Sequence, residues 1–209
     1  MRVGDTLCLF SGDGGEAEAE ISGIAREEVT VRILGLRNSN RESPLNITLA
    51  VSLSRGDRVD TIVQKATELG VQRIRPLVSE RTGVRIDAER LEKKRQHWRR
   101  IAISACEQCG RNLIPDVSSP ASFEEVLQDA KSEDALKLLL HPGLDHGLLP
   151  EDCADLWLLV GPEGGFSQSE VEVALSCGFS GLTLGPRVLR TETAPLAAVA
   201  FAQARWGDF

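Results

Sequence analysis

The sequence lacks any long apolar run, since no stretch approaches the roughly 20 consecutive apolar residues that a membrane-spanning helix needs. Residues 1–5 also lack the basic region, followed by an apolar one, that marks a secretory signal. The 5 cysteines are an odd number and follow no framework spacing, which argues against disulfide bonds. We therefore expect a soluble protein with free thiols, located in the cytoplasm and without a membrane partner.

Motifs for a metal site or a nucleophilic triad are also missing. Cys106 and Cys109 have CxxC spacing, but neither a second such pair nor paired histidines accompany them, and structural zinc usually takes four ligands. The pair closes a predicted helix, whereas a thioredoxin-type redox pair opens one. We therefore expect no metal and interpret both cysteines as small residues on the core side of a helix end. The spacing of the histidines supports no Ser/His/Asp or Cys/His triad.

Charge is distributed unevenly along the chain. The net formal charge is −7, but residues 65–111 hold 12 of the 24 Lys and Arg and only 6 of the 31 acidic residues, a local charge of +6. A basic segment in an acidic protein is compatible with a phosphate-binding face. It is also compatible with a well-solvated helix surface, which the charge alone favours.

The first part of the chain alternates apolar and polar residues with the period of two that is typical of β-strands. Residues 5–10, 16–24 and 29–34 are predicted as three strands of a small antiparallel unit. The polar stretch 37–44 ends in proline and is interpreted as a linker. We therefore expect a small N-terminal β domain at 1–43 and a larger domain at 44–209.

From residue 45 onward predicted strands and helices alternate, which indicates an α/β fold with a mainly parallel sheet. Strands are predicted at 45–51, 71–78, 136–140, 156–160 and 181–184. Helices are predicted at 59–69, with Gly70 as its C-terminal cap, and at 88–109 and 194–206. Ser122 with Glu125, and Ser167 with Glu170, have the spacing of capping boxes at two further helix starts.

Two loops follow predicted buried strands and precede helices, which is where open α/β sheets bind ligands. Residues 159–166 include three glycines in five positions, so the backbone there can approach a ligand closely. They match neither a Walker loop nor a GxGxxG fingerprint. Residues 184–194 gather Arg, Glu and Thr side chains beside a Gly-Pro bend. Taken alone, the first loop is somewhat more typical of an unliganded turn, and the second is equally compatible with a solvated capping loop.

Seven motifs, in order along the chain, carry a resemblance to one family. They lie at 42–44 (ESP), 65–70 (KATELG), 79–82 (SERT), 105–111 (ACEQCGR), 140–142 (LHP), 160–165 (VGPEGG) and 184–194 (LGPRVLRTETA). With these motifs the sequence resembles, over essentially its whole length, the 16S ribosomal RNA uridine-N3 methyltransferases. This is the ribosomal small subunit methyltransferase E family of the SPOUT superfamily.

The resemblance implies a SPOUT-type α/β domain with a deep trefoil knot and a PUA-like N-terminal β domain that helps to hold RNA. It implies S-adenosyl-L-methionine as the cofactor, bound in a bent conformation by the knot loops. It also implies methylation of uridine N3 in 16S ribosomal RNA of the small subunit, by a homodimer with the cofactor near the interface. Members of the family carry a further segment before the equivalent of Arg2, so the N-terminal domain is expected to be partial.

Candidate site residues follow from the resemblance together with the two loops. Because uridine N3 carries an imide proton, the reaction needs a base or a group that stabilises the imidate. Arg190 is the candidate for stabilising the imidate or orienting the phosphate, and either Glu163 or Glu192 for the base. Cofactor contacts are expected at Leu140, His141, Val160, Gly161, Pro162, Gly164, Gly165, Leu184, Gly185, Val188, Leu189 and Thr191. Phosphate contacts to RNA are expected at Arg90, Lys93, Lys94, Arg95, Arg99, Arg100 and Arg111.

Other functions stay open at this point. One is a SPOUT methyltransferase of different base specificity, and another is a catalytically silent assembly factor that binds ribosomal RNA. A third is a nucleotide-binding transferase that uses residues 160–165 as a phosphate loop.

Overall fold

The first three strands form a small antiparallel sheet in the computed structural model, which describes residues 1–82, 88–144 and 148–209. They are β1 (Thr6–Phe10), β2 (Glu16–Ile24) and β3 (Val29–Arg37), paired in that order. Ala19 and Ile21 of β2 are buried, whereas most of β3 is exposed. The three predicted strands are confirmed, and β3 continues beyond the predicted end at residue 34.

The remaining strands form one parallel sheet. They are β4 (Asn46–Ser52), β5 (Arg73–Val78), β6 (Asp116–Val117), β7 (Ala121–Ser122), β8 (Leu136–Leu140), β9 (Asp155–Val160) and β10 (Ser180–Leu182). Their order is β10-β8-β9-β4-β5-β6, with β7 also paired to β5. The pairings described for this sheet are all parallel, which confirms the predicted α/β class. The trefoil knot stays a prediction.

Helices cover both faces of the parallel sheet, and they are α1 (Arg58–Glu68), α2 (Ala88–Cys109), α3 (Phe123–Ser132), α4 (Gln168–Ser176) and α5 (Thr193–Trp206). Residues of α1, α2 and α5 pack in one apolar cluster, and residues of α3 and α4 in another. Consecutive residues of one strand pack in different clusters, as Leu158 and Leu159 of β9 do. Burial on both faces explains why these strands are continuous apolar runs. Among the described helices, none is long and apolar enough to cross a membrane.

Local sequence signals set several helix ends. Gly70 follows α1 with a φ of +84°, a left-handed conformation that side chains disfavour. The hydroxyls of Ser122 and Ser167 accept hydrogen bonds from the backbone N–H of Glu125 and Glu170, and both capping boxes are complete. Both predicted capping boxes are therefore confirmed. The sequence did not predict β6 and β7, because two residues are too short to carry a period.

Buried polar contacts join the N-terminal sheet and the linker to the α/β unit. Arg111, just after α2, donates to the carboxylate of Glu42 and to the carbonyls of Thr67 and Val71, at 2.7 and 3.0 Å. The Arg111 and Glu42 side chains are only 4% and 11% exposed. Asn112, the next residue, donates to carbonyls of the linker and of the first hairpin turn. The end of α2 therefore holds the two parts of the chain together, while the domain boundary near residue 43 stays a prediction.

The CxxC pair lies at the end of α2, with Cys106 buried and Cys109 partly buried, and both thiols are free. Burial raises the pKa of the Cys106 thiol to about 11, so this thiol is protonated at neutral pH and packs as a small apolar group. In the described parts of the chain, no group of three His, Cys, Asp or Glu is arranged to hold a metal ion.

Candidate active site

A cavity of about 350 Å³ opens at the carboxyl ends of β8, β9 and β10. Its volume lies within the range of small-molecule sites, and its position is the one that ligands take in open α/β sheets. Every residue predicted to contact the cofactor lines this cavity, namely Leu140, His141, Val160, Gly161, Pro162, Gly164, Gly165, Leu184, Gly185, Val188, Leu189 and Thr191. The structure therefore brings these residues together, and their role as cofactor contacts stays a prediction.

The loop after β9 needs its glycines for conformation and for space. Gly165 has a φ of +65°, and its N–H donates to the carbonyl of Pro162 at 2.9 Å, which closes a tight turn. A Cβ atom added to Gly161 would lie 3.2 Å from the backbone nitrogen of Phe166. The turn then leads directly into the capping box of α4. Backbone groups of this loop can therefore lie against a bound molecule without intervening side chains.

The loop after β10 forms the opposite wall. Gly185 has a φ of +74°, and the N–H groups of Thr193 and Ala194 both donate to the carbonyl of Arg190 at 2.9 Å, where α5 begins. Thr191 is buried, whereas the Arg190 side chain is exposed and does not line the cavity. Arg190 therefore sits between two cavity-lining residues while its guanidinium faces the surface.

His141 presents a buried nitrogen for which the described residues provide no partner. Its backbone N–H donates to the carbonyl of Leu182 at 3.2 Å, and its own carbonyl accepts from Thr183 Oγ1 at 3.0 Å. The ring Nδ1 atom is buried and makes no hydrogen bond within the described parts of the chain. Because buried polar atoms are almost always hydrogen-bonded, this atom suits a polar group of a bound molecule.

The two candidate bases meet at one arginine. Arg58, the first residue of α1, forms an ion pair with Glu163, which lines the cavity, and its Nε atom lies 3.5 Å from Glu192 Oε2. Glu192 itself does not line the cavity. The structure thus brings Glu163 and Glu192 to a common partner, and it does not decide between them.

Sequence reasoning missed two arginines of this site. Arg58 carried no signal, because it lies far from both loops in the sequence. Arg81 lines the cavity, and its Nη1 atom donates to the carbonyls of Gly164 and Phe166 at 2.9 and 3.3 Å. Arg81 belongs to the motif at 79–82 that carries the resemblance, but the motif did not indicate that this residue lies at the cavity. Other cavity residues that were not predicted include Pro142, Phe166, Leu182, Thr183, Arg187 and Ala194.

Most of the predicted RNA contacts form a basic surface on α2. Arg90, Lys93, Lys94, Arg99 and Arg100 are exposed, and Arg95 is half-buried. Arg95 pairs with Glu92 at 2.7 Å and holds the pKa of that carboxyl down to about 2. Their role in RNA binding stays a prediction.

Arg111 does not belong to this basic surface. Its guanidinium is buried and already bonded to a carboxylate and two carbonyls, so it cannot reach a phosphate without breaking that network. The expectation that Arg111 contacts RNA is therefore withdrawn. The sequence was misleading because Arg111 comes just after a helix rich in basic residues, whereas its own side chain points into the protein.

Two family models together match most of the chain. A family model described as an RNA methyltransferase domain matches residues 41–203, and one described as an RNA methyltransferase PUA domain matches residues 1–34. Ribosomal RNA small subunit methyltransferase E of Bacillus subtilis is 35% identical over 95% of this chain and 81% of that protein.

Two solved structures resemble the chain over its whole length. A putative methyltransferase from Legionella pneumophila, in complex with the bound cofactor SAM, has a TM-score of 0.94 at 44% identity, covering 100% of this chain and 86% of that one. A ribosomal RNA small subunit methyltransferase E from Neisseria gonorrhoeae, bound to S-adenosyl methionine, has a TM-score of 0.92 at 40% identity, with the same coverage.

Proposed function

The chain belongs to the ribosomal RNA small subunit methyltransferase E family, and from this premise we propose the reaction and the roles of its residues. It is an S-adenosyl-L-methionine-dependent methyltransferase that methylates N3 of a uridine in 16S ribosomal RNA. The observation that carries this function is the cavity at the carboxyl ends of β8, β9 and β10, in which all of the expected cofactor residues meet.

The residues of the cavity fit the cofactor. The glycine turn at 161–165 and the loop at 184–191 leave backbone groups open to it, and the unpartnered Nδ1 of His141 suits one of its polar groups. Apolar side chains such as Leu140, Leu184 and Leu189 suit the adenine ring. When bound, the cofactor supplies an activated sulfonium methyl.

The protein must remove or compensate the N3 proton of uridine. Glu163 lines the cavity and Glu192 pairs with the same arginine, Arg58, so a carboxylate is available to accept that proton. Arg190 stands between cavity-lining Leu189 and Thr191 with an exposed guanidinium, which supports a role in holding the negative charge of the imidate or an RNA phosphate. The walls of the cavity align the methyl group with N3 and exclude water.

The partner is 16S ribosomal RNA within the small subunit, held in part by Arg90, Lys93, Lys94, Arg95, Arg99 and Arg100 of α2. The protein acts as a homodimer in the cytoplasm. The N-terminal sheet, which matches a PUA domain, contributes to RNA binding.

The decisive experiment is methyl transfer from labelled S-adenosyl-L-methionine to small ribosomal subunits that lack base methylation, followed by nucleoside mass spectrometry. We expect the label in 3-methyluridine. Label in another nucleoside would indicate a different base specificity, and cofactor binding without transfer would indicate a silent assembly factor.

Arg190→Ala tests the proposed role of that residue. We expect transfer to fall by about a hundredfold, as for loss of one charge-stabilising donor, with cofactor affinity near normal. Arg205→Ala is the matched control, because Arg205 lies at the opposite end of α5 from the cavity. Full activity of Arg190→Ala would contradict the assignment.

A further inference from the structure

We propose that Arg58 is a positioning residue that fixes the two walls of the cofactor cavity relative to each other. The inference rests on the proposed function, because that function supplies the cofactor. The contacts of Arg58 are observed independently of it. Arg58 begins α1, after the short loop at 53–57 that follows β4, whereas its two partners belong to the loops after β9 and β10. One side chain at the start of α1 thus connects both loops.

The first contact holds the glycine turn. Arg58 Nη1 donates to Glu163 Oε1, and Arg81 donates to the carbonyls of Gly164 and Phe166 from the loop after β5. The turn itself has few side chains with which to anchor itself, since it includes three glycines between 161 and 165. Arg58 and Arg81, which lie outside the turn, therefore supply side-chain contacts that the glycines of the turn cannot make.

The second contact holds the other wall. Glu192 is the residue before α5, and its Oε2 atom is buried without a hydrogen bond among the described residues. Among the described residues, the cation beside this oxygen is Arg58, whose Nε atom lies 3.5 Å from Glu192 Oε2. The Glu192 side chain is 26% exposed, but its buried oxygen would lack a partner without Arg58, so this pairing favours the observed position of the loop at 184–192.

Both contacts depend on the shape of the guanidinium. Its nitrogens point in different fixed directions, so one arginine can pair with Glu163 through Nη1 and with Glu192 through Nε. A lysine ammonium is a single point charge and can keep one of these pairs without the other. Arg58→Lys is therefore an informative variant, because it retains the charge and loses the connection.

The experiment measures S-adenosyl-L-methionine affinity by calorimetric titration for Arg58→Gln, Arg58→Lys, Glu192→Gln and the double variant Arg58→Gln/Glu192→Gln. We expect Arg58→Gln to weaken binding about tenfold, since residues in one ion-pair network couple strongly. Arg58→Lys should recover less than half of that loss on a logarithmic scale. Arg55→Gln, an exposed arginine three positions earlier, is the charge-matched control and should bind within about twofold of wild type.

The double variant separates positioning from a general effect of charge. If Arg58 acts through Glu192, the double variant binds no more weakly than Arg58→Gln alone, whereas independent effects would multiply. Multiplying losses, or wild-type affinity in both Arg58→Gln and Glu192→Gln, would overturn the inference. Should Arg58→Gln fail to fold, Glu192→Gln and Arg58→Lys still test the connection.

Activity distinguishes this inference from the proposed function. If wild-type protein does not methylate small subunits but the affinities follow the expected pattern, the proposed function fails and Arg58 keeps its role. If Arg58→Gln binds the cofactor normally and only its KM for RNA rises, Arg58 is a phosphate contact and the inference is wrong.

Discussion

Replacing Arg111 by methionine should destabilise the whole fold while leaving RNA binding by the folded protein unchanged. The substitution leaves the 11%-exposed carboxylate of Glu42 without its cation and the carbonyls of Thr67 and Val71 without their donor. Removing one partner of a buried ion pair costs about 3–5 kcal/mol. For a chain of this size, each kcal/mol lowers Tm by about 2–4 °C, so we expect a loss of about 6–20 °C.

Thermal unfolding followed by circular dichroism measures the loss in Tm, and denaturant unfolding measures the loss in free energy. Salt-dependent RNA binding tests the alternative. Adding Glu42→Leu to Arg111→Met should restore part of the stability, because no unpaired charge then stays buried. A loss below about 1 kcal/mol would refute the structural role. A reduced slope of log RNA-binding constant against log salt in the folded variant, by the contribution of about one phosphate contact, would also refute it.

Three further predictions concern the cofactor loop, the sheet and the basic helix. Gly165→Val should weaken cofactor affinity at least about tenfold in a calorimetric titration, because a β-branched residue strongly disfavours the φ of +65°, and Gly165→Ala should lose less. Glu133→Gln should lower the free energy of unfolding more at pH 7 than near pH 2. Arg73 lowers the Glu133 pKa below the ordinary 4.5, so its contribution is present above that value and lost as the pH falls through the folded-state pKa; equal losses at both pH values would contradict this. Arg99→Gln and Arg100→Gln should each reduce the slope of log binding constant against log salt by about 0.7–0.9, and an unchanged slope would exclude that residue as a phosphate contact.

Much of the parallel sheet could be predicted because its strands are buried on both sides. Runs such as Leu156–Val160 in β9 have no polar face, and turn or capping signals border them. The helix α2 was predicted with its observed bounds, since its apolar residues recur at helical spacing over six turns. By contrast, β6 and β7 exist only through pairing with β5, which is information that two residues do not contain.

Many of the cavity residues could be predicted from the family resemblance, because they end a strand or lie in the loop that follows one. The arginines that hold these loops could not, since their contacts join residues far apart in the chain. Arg58 meets Glu163 across 105 positions, and Arg81 meets Gly164 across 83. An arginine in a loop or at a helix start is usually solvated, and only the fold shows which one has a carboxylate or a carbonyl opposite it.

The orientation of α2 supports the proposed role of its basic residues in RNA binding. Asp60, in the first turn of α1, accepts hydrogen bonds from His97 and Trp98, whereas Arg111 reaches Thr67 at the end of α1. The two helices therefore run in the same direction, and the part of α2 before His97 projects past the start of α1. Because α1 starts at the carboxyl end of β4, this basic part of α2 extends toward the edge of the sheet that holds the cofactor cavity. Under the proposed function, Arg90, Lys93, Lys94 and Arg95 thus lie on the side from which a phosphate backbone would approach the cavity. A local basic surface of this kind is compatible with the net charge of −7.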